Sequence, residues 1–397
     1  MTSRIASLAL TTAFLFLIVV AVMLNSGTLF YMGTALVATI GAARLQAWMS
    51  VRGLTIERIV PESASLGEEV KVELTIRSER KIRRPLITII DHLPSKVAAV
   101  DVTPSLPIAP AYGVPIRTHY KFRPTRRGKF KWSGLTVNGT DALGLVSLSK
   151  DYDVPATSTL TVLPVPIPLD LANPPSAGWG TSESENGLAR GAGIEPRGIR
   201  EYVHGDSMRF VHWRSTARTG NLWVKEFETG SHSAVAFFIQ RSRGSDVGVA
   251  ADTTLEQMCG NVAFVAQQML RQGTQVDLPV HHVSGPWRSQ PERVAQILDA
   301  LAEIQANHGR SVATDLLEYA PTMPQGSVLY VLASVEEPDL PGAIRTLRNR
   351  GYEIIALLYD ASKYGHSQIP PATNGDFVSS LTSAGAIIHF VEKVAAL

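Results

Sequence analysis

Two apolar runs open the chain. Residues 5–24, IASLALTTAFLFLIVVAVML, carry no charged side chain, and a second run extends from Thr28 to about Ala43. Twenty helical residues at about 1.5 Å each match a bilayer core of ~30 Å. Only Asn25-Ser26-Gly27 separates the runs, so the pattern predicts a hairpin of two transmembrane helices within residues 1–50. A cleaved signal peptide is the competing interpretation. Against it, no small-x-small cleavage site parts the runs, and the second is too apolar for a mature N-terminus.

From Leu54 the period changes to two. Val70, Val72, Leu74 and Ile76 alternate with Lys71, Glu73, Thr75 and Arg77, the pattern of a half-buried strand. Leu86–Ile90, Tyr120–Phe122, Phe130–Trp132, Leu135–Val137 and Leu160–Val162 repeat it between turn signals at Gly67-Glu68, Pro124, Gly128 and Gly139. Residues 54–163 therefore predict a small all-β antiparallel sandwich. Residues 164–198 lose any period and are rich in Pro, Gly, Ser and Thr, as expected of a linker or an extended wrapping segment.

A third pattern follows. Ala234–Ile239 is an unbroken apolar run, typical of a strand buried on both faces. Thr253 and Glu256 form a capping box ahead of Leu255, Met258, Val262, Val265 and Met269, with Gly273 as a stop. Val276–Val280 is a candidate strand. Ser289 and Glu292 open a helix carrying Val294, Ile297, Leu298, Leu301 and Ile304 on one face. A short helix near Ser311–Tyr319, a strand Val328–Leu332, a helix Pro341–Arg350 closed by Gly351, and strands Ile354–Leu358 and Ile387–Val391 complete the series. Strands alternating with helices predict an α/β domain with a mostly parallel sheet in three layers, within residues 199–397.

Composition sharpens this picture. The chain has 397 residues, 18% of them charged, enough for two or three folded units. Lys+Arg 37 against Asp+Glu 35 gives +2; Arg4 and Arg44 are the only charges in residues 1–50, so the remainder balances at 35 of each sign (37 − 2 = 35). A neutral body argues against nucleic acid as partner. Basic residues flank the runs at Arg4 and at Arg44, Arg52 and Arg58, and none lies in the turn. The positive-inside tendency then places both ends in the cytoplasm, as a multi-pass protein of the inner (cytoplasmic) membrane. Cys259, the only cysteine, excludes an intramolecular disulfide framework and suits a reducing compartment. The stretch RTHYKFRPTRRGKFK at 117–131 is basic, and Arg77, Arg80, Lys81, Arg83 and Arg84 extend it; membrane lipid headgroups or solvent are its expected neighbours.

Common catalytic patterns are missing. No P-loop is present, and Gly191-Ala192-Gly193 does not follow a strand. Ser147/Lys150 and Ser78/Lys81 share a Ser-x-x-Lys spacing, which by itself does not place a base in a dry site. His204, Asp206, His212 and His232 match no common metal spacing, and no cofactor is expected.

The densest cluster lies between the linker and the first α/β strand: Arg200, Tyr202, Gly205, Asp206, Arg209, Trp213, Ala217 and Arg218 within nineteen residues. Arginine paired with carboxylate and stacked on aromatics suits such a string, either as a brace or as a polar site. The string resembles the signature Arg-x-Tyr-x-x-Gly-Asp-x-x-Arg-x-(apolar)-x-Trp-x-x-(Ser/Thr)-Ala-Arg of domain-of-unknown-function family 58. Arg123-Pro124-Thr125-Arg126-Arg127-Gly128 and Asp141-Ala142-Leu143-Gly144-Leu145 also look like turns of that family. The resemblance implies a von Willebrand factor A-like domain at the C-terminal end. It also implies partnership with a MoxR-type AAA+ ATPase, and in some members with other membrane proteins. One implied feature fails. Where the Asp-x-Ser-x-Ser cation motif belongs, this chain has Gln240, Arg241, Ser242, Arg243 and Gly244, and Ala333-Ser334 stands where a further aspartate is expected. A hard cation needs anionic oxygen, so no metal is expected there. The leading expectation is a membrane-anchored, non-enzymatic adaptor. The alternative is a membrane-tethered enzyme of envelope metabolism with its site around Asp206 and Arg209.

Overall fold

Helix dominates the first 50 residues because their apolar runs hold no proline and no early stop. In the computed structural model they form α1 (Thr2–Met23) and α2 (Gly27–Ser50). The structure describes residues 2–82, 84–95, 97–98, 104–157, 159–169, 171, 196–202, 208, 211–227, 234–285, 287–307, 309–324 and 326–394. Two units divide the chain, Met1–Leu163 and Pro164–Leu397. In the first, Asn25 takes φ 45° between the helices, and Gly33 admits Ile18 of α1, whose Cδ1 would lie 3.3 Å from an added Cβ. Among the described residues one helix, Gly27–Ser50, is long and apolar enough to cross a membrane; where the apolar pattern predicts a second span, α1 contributes a shorter apolar stretch, Thr11–Met23.

The β-rich region holds β1 (Leu54–Ile59), β2 (Ser63–Ser65), β3 (Val70–Ser78), β4 (Ile87–Asp91), β5 (Ser105–Ile108), β6 (Ile116–Phe122), β7 (Gly128–Phe130), β8 (Gly134–Thr140), β9 (Ser147–Asp153) and β10 (Leu160–Leu163). They pair as β1-β3-β6, β5-β4-β8-β9 and β2-β10-β7. The alternation in β3 does bury Val70, Val72, Leu74 and Ile76. One pairing departs from the antiparallel expectation: β2 and β10 run parallel, Thr161 opposite Ser63. Strands separated by most of the sandwich have no hairpin to force reversal. The core of Val72, Leu74, Ile76, Ile87, Ile89, Leu135, Val137 and Leu160 also encloses charge. Arg58 is 1% and Asp91 0% exposed; Arg58 Nη2 donates to Asp91 Oδ1 at 2.5 Å, and the Tyr120 hydroxyl donates to Oδ2 at 2.7 Å.

α2 is locked to this sandwich. The Arg84 guanidinium donates to the carbonyls of Met49 (2.8 Å), Ser50 (2.7 Å) and Gly53 (3.0 Å), satisfying acceptors at the helix C-terminus. Tyr152 adds a bond to the Val51 carbonyl at 2.7 Å.

The second unit contains β11 (Pro196–Glu201), α3 (Trp213–Thr219), β12 (Trp223–Phe227), β13 (Val235–Ile239), β14 (Gly248–Val249), β15 (Asp252–Thr253), α4 (Thr254–Arg271), β16 (Val276–Asp277), α5 (Gln290–Glu303), α6 (Val312–Tyr319), β17 (Val328–Ala333), α7 (Leu340–Asn349), β18 (Glu353–Tyr359), α8 (Gly375–Ser383) and β19 (Ile387–Val391). A five-stranded parallel sheet has the order β16-β13-β17-β18-β19. Phe237 and Tyr330 face α4 and α5, while Phe238 and Leu329 face α6, α7 and α8, giving three layers. The capping residues Thr253, Ser289 and Ser311 accept from Glu256, Glu292 and Thr314 amides as their spacing predicts. The expected strand Val276–Val280 stops at Asp277, because Pro279 has no N–H to give a ladder and opens a 3₁₀ turn, Pro279–His281. Part of 164–198 wraps this unit: Ile167 N donates to Gly260 O at 3.0 Å, and Asn261 Nδ2 donates back to Ile167 O at 3.0 Å. Gly260 permits that approach, since an added Cβ would meet the Val165 carbonyl at 2.8 Å.

Candidate functional site

In an open parallel sheet, neighbouring strands whose connections leave in opposite directions open a crevice at their carboxyl ends, and ligands bind there. The strand order places that switch point between β13 and β17, the first and third strands of the sheet in chain order. Gln240 follows β13 there and is fully buried. Its Oε1 accepts from Ser334 N (2.8 Å), Val335 N (3.1 Å) and Ser334 Oγ (3.2 Å). Its Nε2 donates to the Val335 carbonyl (3.0 Å) and to Glu337 Oε1 (2.9 Å). Both ends of the amide are therefore satisfied.

Glu337, 6% exposed, is the hub. The same Oε1 accepts from Ser242 Oγ at 2.9 Å, and Oε2 accepts from Val312 N at the start of α6 at 2.8 Å. A carboxylate at a helix N-terminus is favoured by the backbone donors and the dipole. Arg241 turns the other way, donating to Asp315 Oδ2 from Nε (3.2 Å) and Nη2 (3.0 Å), while Arg310 reaches Asp315 Oδ1 at 3.4 Å. Gly244 lies outside this network, in a turn at φ 85° against Ile369. Of the three positions of the degenerate cation motif, Gln240 and Ser242 meet on Glu337 and Gly244 does not.

Glu337 and Asp315 escaped the sequence analysis. The side-chain bonds that reach them from Arg241, Ser242 and Gln240 span 74 to 97 positions, which leaves no local spacing to read. Gln240 and Glu337 bind parts of the fold itself, and among the described residues no group of three His, Cys, Asp or Glu is arranged to hold a metal. Beside it, the loops after β13 and β18 border an open cleft of about 550 Å³ that includes Arg243, Asp246, Tyr364 and His366.

The signature occupies a different element. β11 and β12 form an antiparallel hairpin with Arg200 opposite Val224 and Glu201 opposite Trp223. Tyr202 N donates to Leu222 O at 2.8 Å, and His212 N to Trp223 O at 2.7 Å. His212 caps α3, its Nδ1 accepting from Ser215 N at 3.2 Å, and Gly220 ends the helix at φ 79°. Thr216 and Thr219 then hold Trp223, through its backbone N (3.0 Å) and its indole N–H (2.8 Å). Trp213 is 64% exposed, and Ala217 and Arg218 are exposed on the same helix. Gly205, Asp206 and Arg209 lie outside the described residues, as do His204 and His232. In the two Ser-x-x-Lys pairs, Ser78 Oγ donates to Arg80 O, Lys81 sits over Tyr112, and Lys150 sits over Tyr152.

Residues 198–360 match the family model described as protein of unknown function DUF58. No curated protein matches the chain. Among solved structures, the CARDB domain of a Pyrococcus furiosus protein is 14% identical, with a TM-score of 0.21, covering 28% of this chain and 91% of that one. The complex of zinc 2-glycoprotein and prolactin inducible protein from human seminal plasma is 15% identical at TM-score 0.21, covering 28% and 92%. A β-glucosidase from Listeria innocua is 14% identical at TM-score 0.17, covering 26% and 16%.

Proposed function

We propose that this chain is a membrane-anchored adaptor that carries no chemistry of its own. α1 and α2 would form a transmembrane hairpin with both ends in the cytoplasm, and the α/β unit would act as a von Willebrand A-like module toward a MoxR-type AAA+ ATPase. The observation that carries this reading is the saturated Gln240–Glu337–Ser242 network. It occupies the crevice where an open α/β sheet otherwise binds a ligand or cation. An amide at 240 replaces the carboxylate that would coordinate metal, and Glu337 is spent on the fold.

Exposure supports docking rather than bracing for the signature. A tryptophan 64% open to solvent beside Arg214 and Arg218, on a helix with no buried residue, presents the aromatic and arginine types that dominate protein contacts. An acidic face on the partner is the complement that such an arginine-bearing helix would need. Affinity purification of the full chain from membranes in gentle detergent tests the reading. Co-recovery of an AAA+ ATPase, reduced in a Trp213→Ala, Arg218→Glu variant, is expected; repeated recovery of the chain with no such ATPase overturns it.

A further inference from the structure

We infer that the Asp141–Val146 turn is a lipid-contacting wedge, with Leu143 entering the interfacial layer of the phospholipid bilayer around the end of α2; this rests on the anchoring of α2 proposed above. Two contacts orient the turn along the helix. Gly139 of β8 abuts the last residue of α2, where an added Cβ would overlap Ser50 Oγ. Ala142 N, three residues on, donates to Gln46 Oε1 at 3.1 Å. Gln46 precedes Ser50 by one helical turn, about 6 Å along the axis. The turn therefore runs back up the helix, away from the sandwich and toward the segment that would lie in lipid.

It is also built to hold a side chain outward. The buried Asp141 carboxylate accepts from Leu143 N (3.0 Å) and Val146 N (2.7 Å), and Gly144 N donates to Asp141 O at 3.2 Å with Gly144 at φ 69°. Aspartate first and glycine fourth are what a tight turn of this kind prefers. The product is a fixed tip whose leucine is 68% exposed, with nothing in its own unit to cover it. The neighbouring end of α2 has interfacial chemistry: Trp48 is partly exposed with the Arg52 guanidinium 4.3 Å above its ring, and Arg44 is exposed one turn earlier. Indole and arginine at one level of an apolar helix mark the headgroup layer. The nearest acid of the turn, Asp141, is buried and consumed by backbone donors, so no exposed carboxylate on the turn repels anionic headgroups.

The test uses the full chain in vesicles of phosphatidylethanolamine and phosphatidylglycerol. The native thiol, Cys259, is buried, which favours labelling at introduced cysteines. Leu143→Cys, Val37→Cys on α2 and Val249→Cys on the α/β unit are each labelled with an environment-sensitive fluorophore. Leu143→Cys and Val37→Cys should lose fluorescence to acyl-chain-brominated lipid, and Val249→Cys only to aqueous iodide. If position 143 answers to iodide while 37 answers to lipid, the wedge is overturned and the anchor stands. If position 37 also answers only to iodide, the anchor fails and the wedge with it.

Discussion

Asp91 and Arg58 are each without solvent, and the ion pair between them lies wholly inside the core of the β-rich unit. Removing one partner strands the other in the core. Asp91→Ala is expected to cost about 3–5 kcal/mol in chemical unfolding, while the double variant Arg58→Met, Asp91→Leu recovers most of that loss. Burial pushes the Asp91 carboxyl above the usual carboxylate range, against the pull of Arg58 and the Tyr120 hydroxyl. A raised folded-state pKa means its contribution is complete below the ordinary range and is lost as pH rises through the raised value. Unfolding midpoints followed across that interval should therefore fall with rising pH in the wild type and stay flatter in the double variant. In the α/β unit, Gln240→Glu keeps the shape but sets oxygen against Glu337 Oε1 and the Val335 carbonyl. A loss of about 2–4 kcal/mol is expected from setting two acceptors against each other in a buried site. Hydrogen exchange at Ser334 and Val335 reads it. None of these partners was legible in sequence, because a hydrogen bond spanning about 97 positions leaves no local spacing. Gln240 itself was legible as a departure from an expected pattern; that it would find Glu337 was not.

Elements were read more faithfully than residues. The capping boxes at Thr253 and Ser289 give helices α4 and α5 within a residue or two, since the cap, the 3.6 period and the stop all act locally. Strand β3 and the buried β13 followed from their periods in the same way. β9, by contrast, is an edge strand whose half-buried face places Lys150 between Leu148 and Tyr152, which blurs its period of two, and α8 is opened by Asn374 without a side-chain cap. The parallel β2–β10 pair was invisible, because register between distant strands is set by the whole sandwich. At this scale Arg84 has the clearest consequence. It supplies three carbonyl bonds at the C-terminus of α2, which a lysine cannot reproduce with one ammonium. Arg84→Lys should lower protection of the Met49–Gly53 amides in hydrogen exchange by about 10- to 100-fold, equivalent to about 1.5–3 kcal/mol, with β3 and β8 protected as before.

At the scale of the whole molecule, the change of pattern at residue 164 coincides with the division into Met1–Leu163 and Pro164–Leu397, while the change near residue 54 falls inside the first unit. The charge budget places the positive excess beside the apolar helices. A membrane-impermeant thiol reagent should label Val249→Cys only after the cells are opened, as a cytosolic α/β unit requires; labelling in intact cells reverses the proposed orientation. The central claim is that this unit recruits an AAA+ ATPase through its exposed signature helix. The most direct measurement is binding between the purified full chain in lipid nanodiscs and the ATPase recovered with it, with and without ATP. Saturable binding that weakens at least about tenfold in the Trp213→Ala, Arg218→Glu variant is predicted. Binding unchanged by that variant, or no binding in either nucleotide state, would contradict it.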